Sequence, residues 1–242
     1  MWRRVLNEGS GLANPADPVE VVQRLLAATD LVSFEHATAG LSHVVPSALK
    51  AASRTAFWLN LYNALFRHAV LVLRPTGSVL TNVLLFERAS YRVGSSVVSL
   101  SEIEHGVLRR NQRAAPFFRK PFSAADVRFE WQVDRVDPRI HFALNCGAVS
   151  CPPIRAYTAA ELDRQLDLAT RSYLAQHTHV DRARYEVTLS RLISLYASDF
   201  GRRHDAVEFT ARHLDGDDGR WLEEHGPRCR VKFGSYDWRL VG

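Results

Sequence analysis

Residues 54–73, RTAFWLNLYNALFRHAVLVL, are apolar on nearly every face, and no glycine or proline interrupts the chain until Pro75. A helix that is hydrophobic all round has to be wrapped by other elements, so this segment predicts a buried helix at about 55–73 with the rest of the chain packed around it. Asn60, Asn63, Arg67 and His68 interrupt it too often for a membrane span. With 242 residues, 46% of them hydrophobic, the chain can fill a substantial core, and a single α+β domain is the expectation.

Shorter patterns supply the wrapping. PVEVVQRLLAAT sets Val21, Val22, Leu25 and Leu26 for an amphipathic helix, so residues 1–50 read as a helical lead-in to a domain over 51–242. YRVGSSVVSL predicts a β-hairpin about a Gly-Ser turn. SEIEHGVLRR predicts a helix with Ser101 and Glu104 in capping-box spacing, and the chain must loop around Pro116 and Pro121. FEWQVDRVDPRIHFAL offers two strands divided by Asp137 and Pro138, the second with Ile140, Phe142 and Leu144 on one face. Further on, TAAELDRQLDLATRSYLAQH reads as a helix, RYEVTL as a strand and SRLISLYASDFG as a helix after Ser190. A helix and a strand ending in YDWRLVG close the chain. The expected architecture is a buried central helix against a small, mainly antiparallel sheet.

Charge and composition narrow the function. The formal charge is +5, and Lys50, Lys120 and Lys232 are the only lysines. Acids are interleaved with the arginines and no nucleic-acid reading motif is present, so no nucleic-acid partner is expected. Three cysteines do not make the disulfide framework of a small secreted domain. No apolar run of signal-peptide length follows Arg3 and Arg4, which predicts a cytoplasmic, reducing location. No glycine-rich phosphate loop stands between a strand and a helix, and no cofactor is expected.

The chemistry concentrates in HFALNCGAVSCPP, where His141, Cys146 and Cys151 fall within one short stretch. A cysteine in a connection after a strand becomes a nucleophile when an imidazole, a helix N-terminus or a cation stabilises its thiolate. His141 is the nearest imidazole in sequence and His105 a second. The same residues could ligate zinc, although the usual paired-thiol spacing is absent; a disulfide fits the turn but not a reducing compartment. Buried structural cysteine is the plain alternative. Asn60, Asn63 and Arg67 line one stripe of the buried helix, as a site wall or as braces whose polar groups are satisfied by neighbouring loops. Adjacent Glu104 and His105 point about 100° apart on a helix, and capping accounts for Glu104. Asp199 and Asp237 are each a structural clasp or a site acid.

The segments AFWLNLYNAL, LSEIEHGVLR, DPRIHFALNCGAVSCPPIRAYTAAELDRQLDLAT, LISLYASDFG and YDWRL, in that order, resemble the family catalogued as domain of unknown function 547, over about Ala56 to Leu240. The resemblance carries Asn60, Asn63, His105, His141, Cys146 and Cys151 as motif positions, and a family pattern retaining these polar groups implies a shared pocket. Val241 stands where the family usually has asparagine, and the first fifty residues match poorly.

These readings converge on a cysteine-dependent hydrolase or acyl transferase for an amide, peptide or thioester. Cys146 is the expected nucleophile, His141 or His105 the base, and Asn60 or Asn63 an orienting or oxyanion donor. Arg109, Arg155, Asn145, Ser150 and Cys151 are the expected substrate contacts, the substrate being a small molecule or a peptide. A binding or scaffold module and a Cys/His metal site are the competing readings.

Overall fold

The structure, a computed structural model, describes residues 3–8, 17–115 and 118–241. The chain divides into one unit of Met1–Val136, Leu144–Leu162 and Trp238–Gly242 and a second of Asp137–Ala143 and Asp163–Asp237. Both helices and small sheets are present in each, and the class is α+β.

The first unit opens with strand β1 (Arg4–Val5), helices α1 (Pro18–Ala27) and α2 (Leu31–Thr38), and the long helix α3 (Ala51–Leu73). Asp17 starts α1 by accepting the Val19 N–H, with Pro18 at the first helical position. Asp30 and Ser33 cap α2 reciprocally. Along α3, Trp58, Leu59, Leu61, Tyr62 and Leu65 are fully buried, as the all-round apolar pattern requires, and α1, α2 and the sheet cover it. Each such leucine contributes roughly 1.5–3 kcal/mol by leaving water. The helix ends where Arg74 turns left-handed at φ 46° before Pro75.

Helix α4 (Val83–Arg88) then leads into β2 (Ala89–Val93) and β3 (Ser96–Ser99), the expected hairpin. β1 joins β2 in parallel, giving the order β1-β2-β3. Glu102–Leu108 is helical as expected but π-helical: Arg109 N–H reaches the Glu104 carbonyl and Asn111 N–H the Gly106 carbonyl, five residues back. Its cap lies two residues earlier than the spacing suggests, with Ser99 and Glu102 exchanging side-chain-to-backbone bonds. Pro121 lies in non-helical, non-strand chain, whereas Pro116 falls outside the described residues.

The second unit holds α5 (Leu162–His177), β4 (His179–Asp181), β5 (Glu186–Leu189), α6 (Arg191–Leu195), α7 (Ala197–Phe200), α8 (Arg203–His213), α9 (Gly216–His225) and β6 (Arg230–Phe233). Ser190 caps α6 through the Leu192 N–H. β4 and β5 form a hairpin and β6 lies parallel to β5. Phe142, Leu174, Leu189, Ile193, Val207 and Phe209 are among its core residues.

Two expected strands are helical turns instead. Val127–Trp131 and Pro138–Phe142 are 3₁₀ segments, each started by an aspartate, Asp126 or Asp137, that accepts the N–H two residues on and pairs with that residue's guanidinium. The alternation Ile140, Phe142, Leu144 imitates a strand, but an Asp-Pro start fixes φ for a helical turn and satisfies its first amide. Of the expected closing helix and strand, α9 and β6 are present but β6 ends at Phe233; among the described residues after it, Arg239 and Leu240 make isolated bridges to Ser78 and Ala148. Among the described residues no helix is long and apolar enough to cross a membrane.

Candidate functional site

The thiols lie in the first unit on a loop tied to α3. Asn63 accepts the Asn145 N–H at 3.0 Å, and Asn60 clasps Tyr157 twice, taking its N–H at 2.9 Å and donating to its carbonyl at 2.7 Å. Asn145 itself closes the turn, accepting from Gly147 N–H and donating to the Pro152 carbonyl, both at 2.7 Å. The C-terminal segment locks the other side, where Val149 N–H donates to Arg239 O and Val241 N–H to Gly147 O. Tyr157 is buried, which pushes its phenol up to about 12.

Within this loop Cys146 and Cys151 are both half-buried and not joined by a disulfide. Their sulfurs are 2.8 Å apart, and the Cys146 backbone N–H donates to Cys151 Sγ at 3.1 Å. Donors aimed at a sulfur favour negative charge on it. The space beside Gly147 is occupied: its φ is +83° and a side chain there would meet the Phe66 ring. Ser150 is half-buried and Arg155 exposed on the same stretch.

A second polar group in this unit surrounds His105. Arg109, 2% exposed, donates to His105 Nδ1 at 2.8 Å and to the Arg113 carbonyl. Glu104 accepts from the Tyr62 hydroxyl, while its other oxygen stays 3.8 Å from His105 Nδ1, beyond hydrogen-bond reach. Glu104 is therefore a partner of α3 rather than a cap. His105 Nδ1 already accepts from a guanidinium, which makes that nitrogen a poor proton acceptor.

His141 belongs to the second unit, near the end of the 3₁₀ turn. Its Nε2 meets Asp199 Oδ2 at 2.8 Å with both side chains almost wholly buried, and its ring stacks on Tyr196 at 3.7 Å. The Asp199 carboxylate fixes the orientation of the His141 ring. Sequence reasoning missed this pairing, which spans 58 positions and has no local signature. Among the described residues, the side chains close enough to hold a cation are His204, Asp205 and Glu208. There Asp205 caps its own helix by accepting the Arg202 N–H, which explains the cluster without an ion.

A family model described as "Protein of unknown function, DUF547" matches residues 46–174, more than half of the chain. The chain belongs to the DUF547 family. No curated protein and no solved structure matches it. The DUF547 match covers Asn60, Asn63, His105, Arg109, His141, Cys146 and Cys151, and so both asparagine clasps and the thiol loop. It ends before Asp199 and the closing Tyr236, Asp237 and Trp238, which the DUF547 resemblance by motif had included.

Proposed function

We propose that this chain is a cysteine-dependent hydrolase or acyl transferase acting on an amide, peptide or thioester, with Cys146 as nucleophile and Cys151 as its proton-sharing neighbour. The observation that carries the reading is the thiol pair, half-buried at 2.8 Å on a loop that Asn60, Asn63 and Asn145 hold in place. Sulfur chemistry needs a thiolate near neutral pH; the Cys151 S–H is the group that could stabilise one on Cys146, while the Cys146 backbone N–H is aimed at Cys151 Sγ. In this reading Asn60 and Asn63 are positioning residues, because they bond the backbone of Tyr157 and Asn145. His141, paired with Asp199, and His105, whose Nδ1 accepts from Arg109, are the two imidazoles the sequence offers as a base.

The test is the rate of iodoacetamide alkylation against pH, read by mass spectrometry at each cysteine of the whole chain. Cys229 is the internal control, since burial pushes its thiol up. Alkylation of Cys146 or Cys151 is expected well below the ordinary thiol range of about 8.5, with that reactivity lost in His141→Ala or in His105→Ala, whichever imidazole is the base. If both thiols stay inert until the chain unfolds, the reading fails.

A further inference from the structure

The cavity beside the thiol loop has a volume of about 360 Å³ and lies wholly within the first unit. Its wall is mostly apolar, from Phe66, Val70 and Leu71 of α3, Pro75, and Leu240 and Val241 of the C-terminal segment. One charged side chain, Arg67, stands in it. Its Nη1 donates to Leu26 O at 2.6 Å and its Nη2 to Ala28 O at 2.7 Å, both neutral carbonyls at the end of α1. Among the described residues no carboxylate pairs with Arg67. A guanidinium has five N–H donors, so these two bonds fix its plane and leave donors over. The partial negative charge at the end of α1 offsets only part of a full positive charge.

A mostly apolar hollow of this size with one charged group, Arg67, beside the polar Thr29 and Asn145 is the composition of a small-molecule site. A pre-positioned guanidinium without a counter-ion selects a carboxylate, which it can bind through paired N–H donors. We propose that the cavity binds a small aliphatic carboxylate, its acid group on Arg67 and its chain against Val70, Leu71 and Leu240. The site goes beyond the thiol reading and does not depend on it.

Isothermal titration of the whole chain with octanoate, with octan-1-ol as the uncharged control, tests this. Octanoate is expected to bind more tightly than the alcohol by roughly tenfold or more, the range for a charge-assisted hydrogen bond. Arg67→Met is expected to erase the difference. Because that change also strips partners from Leu26 and Ala28, Leu71→Trp, which fills the cavity and leaves Arg67 in place, is the second variant and should abolish binding. Equal affinity for acid and alcohol, or undiminished octanoate binding by Leu71→Trp, overturns the proposal. A chain carrying Cys146→Ser and Cys151→Ser is expected to bind octanoate as before. Failure of the titration therefore refutes the cavity alone, and inert thiols refute the thiol reading alone.

Discussion

Asn60→Ala probes the tie between α3 and the thiol loop. Asn60 is 2% exposed and Tyr157 3%, and the two bonds between them, at 2.7 and 2.9 Å, satisfy the Tyr157 carbonyl and N–H. Alanine leaves both backbone groups buried without that partner. Each orphaned group costs about 1–3 kcal/mol, so the variant should lose roughly 2–5 kcal/mol, a large part of the 5–15 kcal/mol typical of a domain. Urea unfolding reads the total, and amide hydrogen exchange at Tyr157 shows where it arises. Asn60→Asp sharpens the test: it keeps the shape and the acceptor but turns a second oxygen toward the Tyr157 carbonyl. Its deficit should shrink in acid, where a protonated carboxyl can donate. A loss under about 0.5 kcal/mol, the range of surface changes, with Tyr157 exchange unchanged, would falsify the clasp.

Gly147→Ala should cost roughly 2–5 kcal/mol, since it adds left-handed strain to a collision with the Phe66 ring; thermal melts should show that cost shrinking when it is measured in a Phe66→Ala background. His68 gives a pH signature: burial lowers its imidazole to about 4, and Nδ1 lies 2.8 Å from the Tyr91 hydroxyl. As pH falls below the unfolded value of about 6.5, the unfolded chain takes a proton that the folded chain refuses until about pH 4. The stability this group contributes is therefore intact above pH 6.5 and lost between there and pH 4, by about 3 kcal/mol. Urea midpoints at several pH values should show this slope, and His68→Gln should remove it; an equal slope in the variant refutes the assignment.

The parts of the fold legible in the sequence are those where one periodicity runs unopposed. The apolar face-to-face run of α3, the Gly-Ser hairpin of β2 and β3, and the amphipathic α5 all appear where the pattern put them. Pattern failed where a local cap competed with it, as at Asp137, whose bond to the Arg139 N–H converts an apparent strand into a turn. The repeated Asp-x-Arg at 126–128 and 137–139 was a readable signal of that competition. For the candidate site, the asparagine stripe on α3 followed from helix geometry, but its partners did not: Tyr157 is 97 positions from Asn60, and Asn145 82 from Asn63. Residue types show which groups need partners, and only the folded chain shows who they are.

The π-helical stretch Glu102–Leu108 carries a consequence for the gene. An α-helix would cover the same path with fewer residues, so an in-frame loss of one codon here can be absorbed by tightening the turn. The same loss in the middle of α3 would rotate a whole buried face out of the core. Relatives one residue shorter at this point should keep the fold, with His105 turned away from Arg109, and alignments that spread such a gap into neighbouring loops will misassign which histidine corresponds to which.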